Sequence, residues 1–518
     1  MTIGRRLRRA ILFARERVYH AGAPTPLERL EWPDPGPELW VKREDLGPIK
    51  AYKWRGAFNR MAMLGPAPAG VVTASAGNHA QGVALAACKL GLDARIFMPR
   101  TTPAVKVAAV RLHGGGRAEI VLAGDSYDDA VRAALAAAES GGAAYIHAYD
   151  DLDVMAGQGT IADEVVLSGH GPFDVALLQI GGGGMAAGVA CWLKTCWPGL
   201  RVLGVEGEGQ ACMQAAFAAG RPVPLAALDI FCDGTAVRQA GALPFAACRE
   251  LLDGIVTVSN AEVCHAMRLL WDGLRCISEP AGALGVAAAW KLRRELAGRR
   301  VLTILCGANI DFQQLGLVAR SDGAAARERR VLRIGISERP GSMLRLLDHC
   351  FEGLDIVDFQ YGKQHPERGW PVISAAAADP ARLAALSGRL DAEGLEWQDL
   401  TDQPDVVFRA IPLRGDLLSH PLLLLLEFYE RPGALHAFLD KTIRGKANFC
   451  YFNYRQSGER VGRALIGLEF DHPGHREALL RELPERGEGY RSCVPVSPEV
   501  HARLVGAAHP EPGGPDRL

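Results

Sequence analysis

Three short stretches carry residues whose type and spacing could do chemistry. The first is Lys42-Arg43-Glu44-Asp45-Leu46 followed by Ala51-Tyr52-Lys53-Trp54-Arg55-Gly56-Ala57, which sets Lys53 between two aromatic rings. Desolvation there would lower the amine's pKa and suit it to Schiff-base chemistry. A lysine whose stem merely packs on rings at the surface is the commoner use of such a pattern. The second is an apolar run, Val175 to Ile180, ending in Gly181-Gly182-Gly183-Gly184-Met185-Ala186-Ala187-Gly188, with Val189 to Thr195 reading as helix. Successive glycine amides at a helix start can cradle a phosphate. The spacing fits neither G-x-x-x-x-G-K-[ST] nor G-x-G-x-x-G with a later acidic residue, and a plain flexible turn is the bland alternative. The third is Thr73-Ala74-Ser75-Ala76-Gly77-Asn78-His79-Ala80-Gln81-Gly82, where a strand gives way to a helix. Open amides there could take a carboxylate, and the Asn78 amide could bond a cofactor oxygen. Taken singly, Ser75 reads as a helix cap and His79 as a core or cap histidine.

The elements that must position these stretches are legible as an alternation. Short β-branched runs at Gly70–Ala74, Ala94–Met98, Ala118–Leu122, Val175–Ile180, Arg201–Val205 and Val301–Leu305 alternate with Ala-rich helical segments. That alternation predicts an α/β region of parallel strands joined by crossover helices. Around 321–330 the composition turns to Ala, Gly and charge, the look of a connector. Beyond it the chain repeats itself. Val331–Ile336 leads into Glu338-Arg339-Pro340-Gly341-Ser342 and later Phe359-Gln360-Tyr361; Leu422–Phe428 leads into Glu430-Arg431-Pro432-Gly433-Ala434 and later Phe452-Asn453-Tyr454. Glu338 and Glu430 are 92 residues apart, Phe359 and Phe452 are 93 apart, and such register predicts two copies of a strand, helix, strand unit. The Pro-Gly turns either present amides to a carboxylate or only shape the chain.

Bulk properties bound the function. With 518 residues the chain should hold two to four domains, and a hydrophobic fraction of 48% with 23% charge is that of a globular protein. Lys plus Arg (58) balances Asp plus Glu (59), which argues against nucleic acid or an anionic membrane as partner and for a small molecule. No apolar run is long enough to predict a membrane helix. The Arg-rich start (Arg5, Arg6, Arg8, Arg9, Arg15, Arg17) lacks Ser and includes Glu16, so a helix of the mature protein is expected rather than a transit peptide. The 12 cysteines form no C-x-x-C pair, and reduced thiols in a cytoplasm are expected.

Together these stretches resemble the threonine and serine dehydratases among fold type II pyridoxal-phosphate enzymes. The resemblance to the biosynthetic threonine dehydratases runs through Leu7–Tyr19, Thr25-Pro26-Leu27, the lysine stretch and Ser75–Gln81. It continues in Ala156-Gly157-Gln158-Gly159-Thr160, the four glycines, Val205-Glu206, Glu279-Pro280-Ala281-Gly282-Ala283 and Gly307-Ala308-Asn309. It implies a tryptophan synthase β-like catalytic region of two open α/β subdomains over 1–320, a linker at 321–330, ACT-like regulatory domains at 331–415 and 420–505, and a tail at 506–518. It also implies pyridoxal 5'-phosphate on Lys53 as a Schiff base, the phosphate on Gly181, Gly182, Gly183, Gly184 and Met185, Asn78 on the phenolic oxygen and Cys306 beside the ring nitrogen. The substrate carboxylate falls to Ser75, Gly77, Asn78 and His79. The expected reaction is loss of water and then ammonia from L-threonine, giving 2-oxobutanoate on the route to isoleucine. Isoleucine or valine are the expected effectors, Tyr454 and Arg455 the regulatory residues, and a homo-oligomer, tetramer or dimer, the expected assembly.

Departures from the family pattern shape the expectation. Ala76 stands where racemising relatives carry serine, which favours elimination. Cys306 replaces the usual serine, as in some serine dehydratases; a neutral thiol would leave the ring nitrogen unprotonated, a thiolate would favour its protonation. Ala51-Tyr52 and Ala148-Tyr149 replace Ser-Phe and Pro-Phe, so serine or another β-substituted amino acid is the alternative substrate. Gly362 stands where the first repeat should have arginine. A catalytically dead amino-acid sensor is the reading from outside enzymes, and retention of the lysine, glycine and asparagine elements speaks against it.

Overall fold

The computed structural model describes residues 2–31, 36–65, 69–312, 314–316, 318, 328–337, 342–360, 367–377, 380–401, 418–429, 438, 447–454, 461–483 and 490–505. The chain divides into two compact units, Met1–Asp322 and Gly323–Leu518.

The first unit opens with helix α1 (Ile3–Val18), which buries Leu7, Ile11, Ala14 and Val18 on one helical stripe while its arginines stay largely outside. Strands β1 (Leu27–Leu30) and β2 (Glu38–Arg43) follow, then α2 (Trp54–Ala62). A run of β3 (Val71–Ala74), α3 (Asn78–Leu90), β4 (Ala94–Met98), α4 (Ala104–Gly114), β5 (Ala118–Leu122), α5 (Tyr127–Gly141) and β6 (Ala144–Tyr145) builds a parallel sheet of order β5-β4-β3-β6. After α6 (Leu152–Leu167) come β7 (Val175–Gln179), α7 (Gly184–Cys196), β8 (Arg201–Gly207), α8 (Cys212–Ala219), α9 (Ala242–Leu251), β9 (Gly254–Val258), α10 (Asn260–Leu274), α11 (Pro280–Lys291) and β10 (Arg300–Leu305). These strands join the first two in a sheet of order β1-β2-β10-β7-β8-β9, parallel except for the β1–β2 pair. β7 is buried along its whole length, as a parallel strand covered on both faces must be.

Local chemistry sets the helix starts. Ser126 and Asp129 form a capping box at α5, Ser259 and Glu262 another at α10, and Asp151 caps α6 through the amides of Asp153 and Val154. Two helices pack closely because glycine lets them: a Cβ on Gly188 of α7 would overlap the Met155 carbonyl of α6 and come within 3.0 Å of the Gly159 nitrogen.

The second unit holds two antiparallel sheets. β11 (Glu328–Ile334), β13 (Asp355–Gln360), β15 (Val372–Ala377) and β16 (Trp397–Asp399) stand in the order β13-β15-β11-β16, with a small β12 (Ile336–Ser337) and β14 (Arg368–Gly369) pair beside them. β17 (Leu422–Tyr429), β18 (Asn448–Tyr454), β19 (Val461–Glu469) and β20 (Ser492–Pro495) stand in the order β18-β19-β17-β20. Counting the main-sheet strands within each copy, both orders read second, third, first, fourth, so the sequence repeat is a repeat of topology. β11 begins at Glu328, so the charged residues Glu328 to Arg330, expected in the connector, are instead strand, paired with Ala377 to Ala375 of β15. The Pro-Gly turns at 338–341 and 430–434, and the tail 506–518, lie outside the described residues.

Candidate active site

Lys53 caps α2 and belongs to a loop pinned against the end of β10. Ala51 bridges to Gly307, the Tyr52 amide donates to the Cys306 carbonyl at 3.2 Å, and the Ala308 amide donates to the Lys50 carbonyl at 2.9 Å. Lys53 Nζ donates to the Ala148 carbonyl at 2.9 Å and stands 5.4 Å from the centre of the Tyr52 ring. Burial pulls its pKa down to about 8, while the Glu279 carboxylate acts the other way. Cys306 is itself buried, and burial first, then Glu279, hold its pKa well above the usual thiol value, so the thiol is neutral.

The four glycines leave β7 and enter α7, which begins at Gly184 rather than at Val189, so the last glycine is already the first helical residue. Gly183 adopts φ +95°, a conformation that favours glycine. A Cβ on Gly182 would overlap the Tyr149 ring, and one on Gly184 would lie 2.8 Å from the Tyr149 carbonyl. The carbonyls are tied down from behind: Gly181 accepts from Cys212 Sγ at 3.3 Å, Gly182 from the Gly241 amide at 3.1 Å and Gly183 from the Ala187 amide at 2.9 Å. Among the described residues no protein acceptor takes the amides of Gly181 to Met185. A loop with its carbonyls engaged and its amides free at a helix N-terminus fits a phosphate group.

Ser75 directly follows β3 and its Oγ accepts from the Gly77 amide at 3.2 Å; Gly77 precedes α3, whose first amides, beginning at Asn78 and His79, have no partner within the helix. His79 Nε2 donates to the Ile146 carbonyl at 3.1 Å, and burial, with Lys53 second, lowers its pKa to about 3, so the ring is neutral. What His79 can offer a carboxylate is its backbone amide. The Asn78 amide is engaged on both ends: Nδ2 donates to Glu279 Oε1 at 2.8 Å and Oδ1 accepts from Asn309 Nδ2 at 2.7 Å.

These stretches converge at the ends of parallel strands, the usual ligand edge of an open α/β sheet. Lys53, His79, Cys306 and Glu279 are electrostatic neighbours, and the Ala148-Tyr149 dipeptide links the Lys53 amine to the glycine loop. Sequence reasoning assigned no role to Glu279 or Asn309, although both stand in motifs it singled out, and it took Tyr149 only as a departure bearing on the substrate. Nor did it foresee that Arg55, two residues after Lys53, is fully buried between Glu44 and Glu164. Tyr454 ends β18, but its side chain, like the whole of Arg455, lies outside the described residues.

Comparison with known proteins agrees with this geometry. Residues 18–307 match the pyridoxal-phosphate dependent enzyme family and residues 418–494 the C-terminal regulatory domain of threonine dehydratase. The chain is 37% identical over 477 residues to the biosynthetic L-threonine dehydratase of Burkholderia multivorans, covering 89% of this chain and 92% of that one. With its Escherichia coli counterpart it shares 36% over 486 residues, 92% and 93% of the two chains. Among solved structures, threonine deaminase isoform 2 of Solanum lycopersicum superposes with a TM-score of 0.59 at 38% identity, over 61% of this chain and 93% of that one. Maize serine racemase does so at 0.56 and 30%, over 60% and 96%. The chain belongs to the pyridoxal-phosphate dependent enzymes and, within them, to the biosynthetic threonine dehydratases, with pyridoxal 5'-phosphate as its cofactor.

Proposed function

We propose that the protein converts L-threonine to 2-oxobutanoate and ammonia, the reaction for which its relatives are named. The observation that carries the reading is the buried, partly neutral Lys53 amine set beside a glycine loop with unclaimed amides. When bound, the cofactor supplies an aldehyde to Lys53 and an electron sink for the substrate's Cα–H bond. Lys53 would act as the base toward the α-proton; a pKa near 8 would let it do so near neutral pH and return the proton to the departing hydroxyl. The amides of Gly181 to Met185 hold the phosphate, and those of Asn78 and His79, with Ser75 and Gly77, hold the substrate carboxylate. Ala76 has no hydroxyl to deliver a proton to the opposite face of Cα, which favours elimination. The β-hydroxyl would leave with that proton as water, and the enamine so formed would take up water to give the 2-oxo acid and ammonia.

A second reading, L-serine as substrate, draws on the neutral Cys306 thiol and on Tyr149, which covers the glycine loop. Comparing kcat/KM for threonine and serine decides between them, since one methyl group is worth about 1–3 kcal/mol in a pocket. Borohydride reduction and peptide mapping test the reading itself: a pyridoxyl adduct on Lys53 supports it, and an adduct elsewhere, or none, overturns it. Isoleucine or valine as effectors, a homo-oligomeric assembly and a cytoplasmic location complete the proposal. The regulatory-domain match at 418–494 supports the first, and the absence of a membrane-crossing helix among the described residues accords with the last.

A further inference from the structure

Glu279 is a buried carboxylate with no part in the reaction as described so far. It sits at the start of α11, 3% exposed, in a space that two glycines keep open. A Cβ on Gly307 would overlap its Oε1, and a Cβ on Gly234 would lie 3.1 Å from the same atom. Its backbone amide donates to the Gly307 carbonyl at 3.1 Å, so the residue is held at both ends.

Its side chain reaches across the cleft to Asn78, 201 residues away in sequence, and takes one Nδ2–H at 2.8 Å. Asn309 completes the arrangement: its Nδ2 donates to Asn78 Oδ1 at 2.7 Å and to the Ile49 carbonyl at 2.8 Å, and its backbone N–H reaches the Glu279 carboxylate. A carboxamide has two faces that differ only in which atom donates. Turned over, the Asn78 amide would set nitrogen against the Asn309 nitrogen and oxygen against the Glu279 carboxylate, two repulsive contacts in place of two bonds. The amide therefore has one orientation, and after both bonds are made it keeps a single free N–H.

We propose that Glu279 is a positioning residue for the cofactor: with Asn309 it locks the Asn78 carboxamide so that a donor N–H, not an acceptor oxygen, is offered to the phenolic oxygen. The inference rests on the reading that Asn78 meets that oxygen. The groups facing Glu279 are Asp233, Lys106, Lys53, Tyr52 and Cys306, and the Lys106–Asp233 ion pair spans from α4 to the loop before α9. Burial first, then Asp233, bring the Glu279 pKa up to about 7, against Lys106 and the Asn78 and Asn309 donors. Above that pH the carboxylate is a full acceptor and the lock is strongest; below it the lock weakens.

The test uses the holoenzyme and the cofactor's visible band, followed against pH and during release of cofactor on dilution. Glu279→Leu (E279L) removes the acceptor, Glu279→Gln (E279Q) keeps an acceptor oxygen without the charge, and Asn309→Asp (N309D) sets an acceptor against Asn78 Oδ1. E279L and N309D should release cofactor about tenfold faster than the unaltered enzyme, and E279Q within about twofold of it, the worth of one hydrogen bond to a charged group. The unaltered enzyme should change its band near pH 7 as Glu279 titrates, and E279Q should lose that change. Release and spectrum unchanged in E279L would overturn the proposal, as would E279Q as damaged as E279L. Should E279L not fold, unchanged release in N309D overturns it equally. An unaltered enzyme that forms no adduct at Lys53 would instead defeat the functional reading beneath it.

Discussion

The Lys53 amine donates to the backbone carbonyl of Ala148 at 2.9 Å, although 95 residues separate the two in sequence. A neutral carbonyl orients the amine without supplying a counter-charge, so burial remains free to depress its pKa, to about 8. Only the unprotonated amine attacks an aldehyde, and its share grows as pH rises through that value. Reconstitution of the apoenzyme with pyridoxal 5'-phosphate should therefore quicken with pH and level off above about 8. A stopped-flow rate that stays flat between about pH 6 and 9 would show the amine to be titrating elsewhere.

Gly182→Ala should loosen the cofactor by about 10- to 100-fold, because the added methyl would overlap the Tyr149 ring and overpacking costs about 1–3 kcal/mol. Tyr149→Ala in the same chain should restore much of that loss. Fluorescence titration of the single and double variants reads the coupling directly. Equal affinity in the single variant and the unaltered enzyme would mean that the loop does not need its close approach to residue 149.

The local part of this site is written in local sequence. Lys53, the four glycines and Ser75 to His79 stand out because a strand turning into a helix leaves a pattern a few residues long, and the strand alternation and the 92-residue repeat are visible for the same reason. The pairing of Asn78 with Glu279 and Asn309 leaves no such trace, since its partners are 201 and 231 residues distant. Nothing in Lys42-Arg43-Glu44-Asp45 itself announces burial, yet Lys42 and Glu44 are 1% and 0% exposed and satisfy each other's charge inside the fold. Burial of charge depends on what the rest of the chain packs over it, and composition does not record that.

Cys306→Ser should leave the cofactor's visible band where it is, because the cysteine is a neutral thiol and serine is a neutral hydroxyl. On the reading that residue 306 faces the ring nitrogen, Cys306→Asp offers that nitrogen a group that can carry negative charge and stabilise its protonation, and should move the band. Absorption spectra of the two variants at matched pH check the pair of outcomes. A large shift on going to serine would mean that the thiol is ionised in the holoenzyme, contrary to its burial beside Glu279.

The two sheets of the second unit share one strand order, and the second of them overlaps the stretch matched to the regulatory domain of threonine dehydratase. Isoleucine should accordingly raise the threonine concentration needed for half-maximal rate, and valine should oppose it. Steady-state assays with each amino acid across millimolar concentrations measure this. Identical saturation curves with and without both would assign the unit to assembly or to another ligand.

Glu44→Gln tests the charge cluster that holds α2 behind Lys53. Glu44 accepts from Arg55 Nε at 2.8 Å and Nη2 at 2.9 Å, from Thr25 Oγ1 at 2.6 Å and from Lys42 Nζ at 3.1 Å, while Glu164 takes Arg55 Nη1 at 2.5 Å and Lys42 Nζ at 2.6 Å. Two cations thus face two anions with almost no solvent. Removing one anion leaves an uncompensated buried cation and should cost about 3–5 kcal/mol in urea denaturation followed through the cofactor band. The sign of the pH dependence follows from Glu44. Burial alone would raise its pKa, but Arg55 and Lys42 outweigh that and hold it below the ordinary value of 4.5. Its contribution is therefore complete above pH 4.5 and is lost as the pH falls from there toward the lowered value. The unaltered enzyme should lose stability steeply over that acid range and the glutamine variant much less so. Parallel acid limbs in the two proteins would place the acid sensitivity in some other carboxylate.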